Sequence, residues 1–274
     1  MNVVKEPLVR AAVVSNPDAA PVCADFPDAQ QQPGKEPLRG TMAERLVTPF
    51  EVELPAGADP LAVAAGMNPG MSGWMALVAR RREVGELGTV LVLGATGMSG
   101  GLAVRAALSM GAQRVIAVGR DPEAMEGLRG PRVVTVPLAH GGPDAWRAAL
   151  GAAVAEAPPA LVLDFVWGPV AEVALAALRG VSADDDVPID YVQFGALAGT
   201  AASLPAALLR SRRIRISGSG TGSVSKARMI AEVPEVIARF GDGTFDAPYT
   251  AYPHSRVGAA WAHQGRTRAV VVPD

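Results

Sequence analysis

The chain has 274 residues, 49% of them apolar and 19% charged, with a formal net charge of −2. That is enough apolar material for one large domain with a smaller one, or for two modest domains, and too much for a disordered chain. Lys and Arg form no run longer than the isolated triplet "RRR" at 80–82, so nothing points to a nucleic acid. One cysteine, Cys23, excludes an intrachain disulfide and a multi-cysteine zinc site.

The opening residues lack a charged start followed by an apolar signal core, and no stretch is long and apolar enough to span a bilayer. A cytoplasmic protein is therefore expected. Residues 1–60 are rich in Pro and polar residues with short β-like runs: "VRAAVV", "ERLVTPF" and "FEVEL". Residues 27–37, "PDAQQQPGKEP", read as a linker. Residues 61–82 read as helical, with a break or restart at Asn68, Pro69 and Gly70.

From residue 89 the pattern alternates. Strands are predicted at 89–94, 114–119, 132–136, 160–165, 190–195 and 213–218. Helices are predicted at about 98–110, 122–129, 143–156, 169–180, 204–212 and 225–240. Most of the strands are short, unbroken apolar runs, which suits strands buried on both faces. The expected fold class is α/β, with a doubly wound, parallel, six-stranded sheet of the dinucleotide-binding type. After 243 the pattern predicts a strand in "APYTAYP", a helix in "SRVGAAWAHQ" and a final strand in "RTRAVVVP".

The stretch "LVLGATGMSGGLAV", 91–104, carries the strongest chemical signal. Gly94, Gly97 and Gly100 fit G-x-x-G-x-x-G between a strand and a helix. The first glycine permits a sharp turn, and the second lets backbone amides approach a pyrophosphate. The third lets the helix lie close to the sheet, and the helix N-terminus adds partial positive charge. The bland alternative is a tight strand-to-helix turn with no ligand.

The second strand ends in Gly119-Arg120. An NAD site wants a carboxylate there, whereas a guanidinium holds a 2′-phosphate, so NADP(H) is the expected cofactor. Asp121 precedes Pro122 and reads as the N-cap of the next helix rather than a ribose ligand.

With these residues in view, "NPGMSGWMAL", "TVLVLGATGMSGGLAVRAALSMGAQRVIAVGRDPEAMEGL", "LVLDFVWGP", "YVQFGALAG", "LPAALLRSRRIRISGSGTGSV" and "RVGAAWAHQGRTRAVVVP" resemble the medium-chain dehydrogenase/reductase superfamily. The branch they resemble is the zinc-free quinone oxidoreductase-like proteins, over about residues 41–274. The resemblance implies NADPH-dependent reduction of a quinone, enone or related carbonyl compound by a homodimer paired through the edge strand near Ile214–Ile216. It places Thr96, Gly97, Met98 and Ser99 under the pyrophosphate, and Gly119 and Arg120 at the adenosine end. Phe165, Val166 and Trp167 would flank the adenosine ribose. Phe194, Gly195 and Ala196, with Ser217, Gly218 and Ser219, would border the nicotinamide. Phe165 and Phe194 fit core positions equally well.

The resemblance also implies a domain division: residues 1–66 plus 244–274 as a GroES-like domain, and 67–243 as the nucleotide-binding domain. Here the first is shortened. Residues 9–29 resemble its opening hairpin and 40–49 its closing strand, and several dozen expected residues between them are missing. That loss predicts an open substrate pocket and a bulky substrate, such as a natural product undergoing tailoring in secondary metabolism. It also keeps alternatives open: a non-redox cyclase or isomerase, a binding protein reusing the cleft, or a supporting subunit.

No catalytic acid is identifiable. Tyr191 reads as core, Tyr249 and Tyr252 reach the cleft only if the C-terminal segment folds over it, and Asn68 is a candidate cleft-lining group or a helix cap. His140, His254 and His263 read as surface residues. The acidic triplet in "ADDDVP", 183–188, reads as solvated rather than metal-binding, so no metal is expected.

Overall fold

The computed structural model describes residues 8–28, 42–45, 53–138, 142–180, 188–220 and 222–274. The chain divides into two units, Gly66–Asp246, and Met1–Ala65 with Ala247–Asp274. In the first, six strands form one sheet: β3 (Thr89–Leu93), β4 (Arg114–Gly119), β5 (Val133–Pro137), β6 (Leu161–Asp164), β7 (Ile189–Gln193) and β8 (Ile214–Gly218). The labels β1 and β2 belong to a hairpin in the other unit, Leu8–Val13 and Val22–Pro27.

The strand order is β5-β4-β3-β6-β7-β8, and every pair is parallel. The order reverses direction between β3 and β6, which opens a crevice at their carboxyl ends. Helices follow the strands: α2 (Met98–Ser109), α3 (Pro122–Glu126), α4 (Gly142–Glu156), α5 (Gly168–Gly180), α6 (Ala206–Ser211) and α7 (Lys226–Gly241).

One face of the sheet packs on α4 and α5, through Leu91, Ile116, Leu150, Val154, Leu175 and Leu178, all buried. The other face carries α1 (Pro60–Val84) with α2 and α7. A Cβ on Gly73 of α1 would lie 2.7 Å from Ala103 Cβ of α2, and Trp74 Nε1 donates to Glu232 of α7 at 2.9 Å. Coverage on both sides is why β3, β4 and β6 are apolar along most of their length. β8 is one of the two edge strands, with β5 at the other edge, and no residue of it is fully buried.

The predicted break at Asn68-Pro69-Gly70 is absent: α1 is one helix with Pro69 inside it. Proline removes one intrahelical hydrogen bond, which disfavours a helix interior. Here Met71, Trp74, Met75 and Leu77 beyond it are buried, and tertiary burial outweighs the local penalty. Ser72 Oγ donates to the Pro69 carbonyl at 2.7 Å, giving that turn an extra bond. Asn68 is exposed mid-helix and neither ends nor caps it.

In the other unit β1 and β2 pair antiparallel, and Ala12 N donates to the Met42 carbonyl at 2.9 Å beside them. β9 (Tyr249–Pro253) and β10 (Arg268–Val272) pair in parallel across a short 3₁₀ turn (His254–Arg256) and α8 (Val257–Trp261). Tyr249 donates to Asp59 at 2.7 Å, and Tyr252 Oη lies 2.9 Å from His263 Nδ1. His254 corrects its surface expectation: it is 2% exposed, folded inward at the 3₁₀ turn after β9. His140, residues 183–187 and residues 29–37 of the expected linker lie outside the described residues. Among the described residues no group of three or more His, Cys, Asp or Glu is placed to hold a metal, and no helix is long and apolar enough to cross a membrane.

Candidate cofactor site

β3 ends at Gly94, which has φ +88°, a left-handed conformation that a side chain disfavours. A Cβ there would also lie 2.7 Å from Val166 Cγ1. At Gly100 a Cβ would overlap the Gly94 carbonyl, so this glycine sets how closely α2 approaches the strand. Gly97 differs. It is the N-cap of α2, with φ −83° and ψ 161°, and a Cβ would meet nothing nearer than Gly94 O at 3.5 Å. Its own packing therefore does not require glycine; the bare Cα keeps the mouth of α2 open. Among the described residues no side chain caps α2, and its first turn holds no acid. The first amide hydrogens of a helix lack intrahelical acceptors and sit at the positive end of its dipole. This corner is a ready cradle for an anion.

The end of β4, where the sequence places the adenosine, packs next to it. A Cβ on Gly119 would overlap Thr96 Cγ2 and come within 2.9 Å of Met125 Sδ, so Gly119 lets Thr96 pack against the end of β4. Arg120 follows and is exposed, while Asp121 Oδ1 accepts from Glu123 N at 3.1 Å and Ala124 N at 3.2 Å. With Pro122 as the first residue of α3, Asp121 caps that helix as the Asp-Pro pair predicts. The carboxylate is committed to the helix, and Arg120 beside it in the chain is an exposed positive charge.

The turn between β6 and α5 contains a group the sequence reading missed. Asp164 is fully buried and accepts from Tyr191 Oη at 2.6 Å, Val166 N at 2.9 Å and Trp167 N at 2.8 Å. It holds a strained corner: Trp167 has φ +57° and Gly168 φ +60°. A non-glycine residue in that region costs of order 1–3 kcal/mol and persists only when its surroundings over-determine it. The signal was present, as a lone carboxylate closing an otherwise apolar strand in "ALVLDF". Tyr191 is core, as read from the sequence, and the Trp167 ring meets it edge-on at 6.3 Å.

Burial pushes the Asp164 carboxyl up, against the opposing pull of its two backbone donors and the tyrosine. Burial, with the nearby carboxylate, likewise raises the Tyr191 hydroxyl. A carboxyl raised above its unfolded value of about 3.9 contributes stability in full below that pH and loses it as pH rises through the folded value. Asp164→Asn is expected to remove that part of the decline, checked by denaturant midpoints measured from acid to neutral pH. An unchanged profile contradicts the assignment.

The Phe165 and Phe194 rings stack, with centroids 4.7 Å apart and planes 15° apart. A Cβ on Gly195 would lie 2.6 Å from the Phe165 carbonyl, so the turns after β6 and β7 touch. Phe165 is 7% exposed, a core position. Gln193 joins the next strand end: its Nε2 donates to the Gly195 carbonyl at 2.8 Å, and its carbonyl accepts from Ser219 N at 2.8 Å. Ala196 and Gly218 are exposed and Ser219 is half-buried. Leu197, which the sequence reading passed over, is 91% exposed at this rim.

Val166 thus meets Gly94, and Phe194 and Gly195 meet Phe165. Arg120 and Ser219 stay apart, at the ends of β4 and β8. Four strand spacings at about 4.8 Å each separate them by roughly 19 Å. The candidate residues form a row along the carboxyl edge of the sheet, suited to an extended ligand with its anionic part at α2.

No family model matches the chain. It is 37% identical over 232 residues to a probable NADPH-dependent quinone reductase of Emericella nidulans, covering 78% of this chain and 62% of that protein. The chain thus spans less than two thirds of that relative's length. Its structure is similar to the quinone oxidoreductase of Thermus thermophilus, solved also with NADPH, at 20% identity and TM-score 0.61, covering 93% of this chain and 85% of that one. It is also similar to a mycobacterial quinone oxidoreductase, at 17% identity and TM-score 0.64, covering 81% and 67%. At these identities the two structures establish the fold.

Proposed function

We propose that this chain, which resembles the zinc-free quinone oxidoreductase-like branch of the medium-chain dehydrogenase/reductase superfamily, is an NADPH-dependent reductase of a quinone, enone or related carbonyl compound. The observation that carries the reading is the pairing of an uncapped, acid-free helix N-terminus with an exposed Arg120, while the neighbouring Asp121 is committed to capping. The description of the Emericella nidulans relative favours this over a non-redox cyclase, isomerase or binding protein.

The residues fit the cofactor. Amides of Met98 and Ser99, beside Thr96 and Gly97, would hold the pyrophosphate, and Gly119 and Arg120 the phosphorylated adenosine. The turn of Phe165, Val166 and Trp167 would run beneath the ribose. Phe194, Gly195, Ala196, Gly218 and Ser219 would border the nicotinamide, with Leu197 offering an apolar rim to a substrate ring. When bound, the reduced nicotinamide supplies a hydride, and the protein's part is position and exclusion of water. No acid is assigned to the proton step.

Arg120→Ala is expected to weaken NADPH binding by about 1.5–3 kcal/mol, roughly ten- to a hundredfold, the range for a hydrogen bond to a charged group. NADH binding should barely change. Titration of both cofactors checks this, and equal losses for the two would remove Arg120 from the 2′-phosphate.

We assign residues 1–66 and 244–274 to a shortened GroES-like domain and 67–243 to the nucleotide-binding domain. The substrate is a small molecule of the bulkier kind, consistent with natural-product tailoring, and the single cysteine favours the cytoplasm. The open edge at β8, near Ile214–Ile216, is the surface we assign to a homodimer. Light scattering should give twice the chain mass; a mass of one chain contradicts the pairing.

A further inference from the structure

Asp164 ties together the turns that follow β6 and β7. Its side chain accepts from Val166 N and Trp167 N in the first turn, and its main-chain carbonyl accepts from Phe194 N at 2.7 Å in the second. Tyr191 closes the link from within β7, donating through Oη to the other carboxylate oxygen at 2.6 Å. Both side chains are fully buried, so neither reaches a ligand. What they can do for the site they do through the backbone.

The two turns are also joined directly. Ala198 N donates to the Val166 carbonyl at 2.8 Å, and a Cβ on Gly168 would lie 2.7 Å from the Ala198 carbonyl. Both ends of the stretch Phe194–Ala198 are thus fastened to the turn after β6. The joint depends on the left-handed pair Trp167-Gly168, a conformation that tryptophan does not favour by itself. The two inward amide bonds to Asp164 hold it there. The glycine corner is anchored elsewhere: Gly94 N and Ala95 N donate to the Val118 carbonyl of β4 at 2.9 and 2.8 Å. The two ends of the cofactor site therefore have separate supports.

We propose that Asp164, held by Tyr191, is a positioning residue for hydride transfer: it sets where the Phe194–Ala198 turn stands, and leaves the phosphate-binding end to α2 and Arg120. The proposal rests on the reductase reading above. Transfer needs the reacting atoms about 3–3.5 Å apart, and a misplacement of about 1 Å costs roughly a hundredfold in rate. Releasing this turn lowers the turnover number and spares affinity for the half of the cofactor held at α2.

The test compares the parent with Tyr191→Phe, Asp164→Ala and Asp164→Asn. Phenylalanine keeps the ring that packs against Trp167 and removes only the donor. Three quantities are read: kcat and KM for NADPH with a panel of quinones and enones, the Kd of 2′,5′-ADP, and the Trp167 fluorine resonance in cofactor-free protein labelled with 5-fluorotryptophan, assigned by Trp167→Phe. The expected loss of kcat is about fivefold in Tyr191→Phe and about thirtyfold or more in Asp164→Ala, with 2′,5′-ADP affinity held within about twofold. The Trp167 resonance shifts or broadens in both. Asparagine keeps an oxygen for the two amides, so Asp164→Asn recovers much of what Asp164→Ala loses.

Unchanged kcat, an unchanged Trp167 resonance, equal losses of kcat and 2′,5′-ADP affinity, or an Asp164→Asn variant no better than Asp164→Ala would each overturn the proposal. If Asp164→Ala does not fold, Tyr191→Phe decides by its kcat, its 2′,5′-ADP affinity and its Trp167 resonance. A parent that oxidises NADPH with no member of the panel overturns the reductase reading and this proposal with it. An active parent whose variants fail these criteria overturns this proposal alone.

Discussion

Gly97→Asp is expected to leave the protein at least as stable as the parent and to weaken its binding of a phosphate-bearing cofactor by about a hundredfold or more. The two effects have one cause. Gly97 occupies the N-cap with extended backbone angles open to any residue, and a Cβ there meets nothing closer than 3.5 Å. Aspartate at an N-cap accepts from the first free amides and stabilises a helix by about a few tenths of a kcal/mol relative to glycine. Those are the same amides that would hold the pyrophosphate, and the new carboxylate repels it as well. Losing two hydrogen bonds to a charged group, at about 1.5–3 kcal/mol each, accounts for the expected drop in affinity. Thermal unfolding and a cofactor titration on the same preparation check both halves. A variant that is destabilised, or that binds as the parent does, contradicts the assignment of the cradle.

The second large effect is on folding. Asp190→Ala should lower the free energy of unfolding by about 3–5 kcal/mol, the cost of removing one partner from a buried ion pair. Asp190 is 7% exposed and accepts from both Arg80 and Arg215. Without it the buried Arg80 guanidinium keeps, among the described residues, only the Pro188 carbonyl as a hydrogen-bond partner. Arg215 is affected less, since it is exposed and retains its bidentate contact with Glu83. If the stranded charge is the cause, adding Arg80→Met to Asp190→Ala recovers much of the loss. Urea denaturation of the two variants distinguishes this from a simple loss of packing, in which the second substitution would add to the first.

The strand pattern was legible because burial on both faces leaves a plain mark, a short unbroken apolar run such as "TVLVL". The glycine corner and the Asp121 cap were legible because their causes are local, a turn or a helix end within a few residues. What escaped had non-local causes. Whether α1 continues through Pro69 depends on what its far half buries, and neighbouring residues do not record that. Asp164 and Tyr191 are 27 positions apart, and Arg80 and Asp190 are 110 apart. Their types hint at function or burial, but their pairing does not show in a single sequence. Gly119, expected at the adenosine, also makes room for Thr96, a packing role with a non-local cause. His254 looked like a surface residue because its burial comes from the chain folding back after β9.

A fluorescence titration of NADPH with the whole protein bears most directly on the central claim. Nicotinamide held in a dry site should give a saturable, blue-shifted and enhanced emission, abolished in Gly97→Asp. Oxidation of the bound cofactor should follow on adding a quinone. Unchanged emission up to high micromolar cofactor, from protein that is folded by thermal unfolding, would contradict the account.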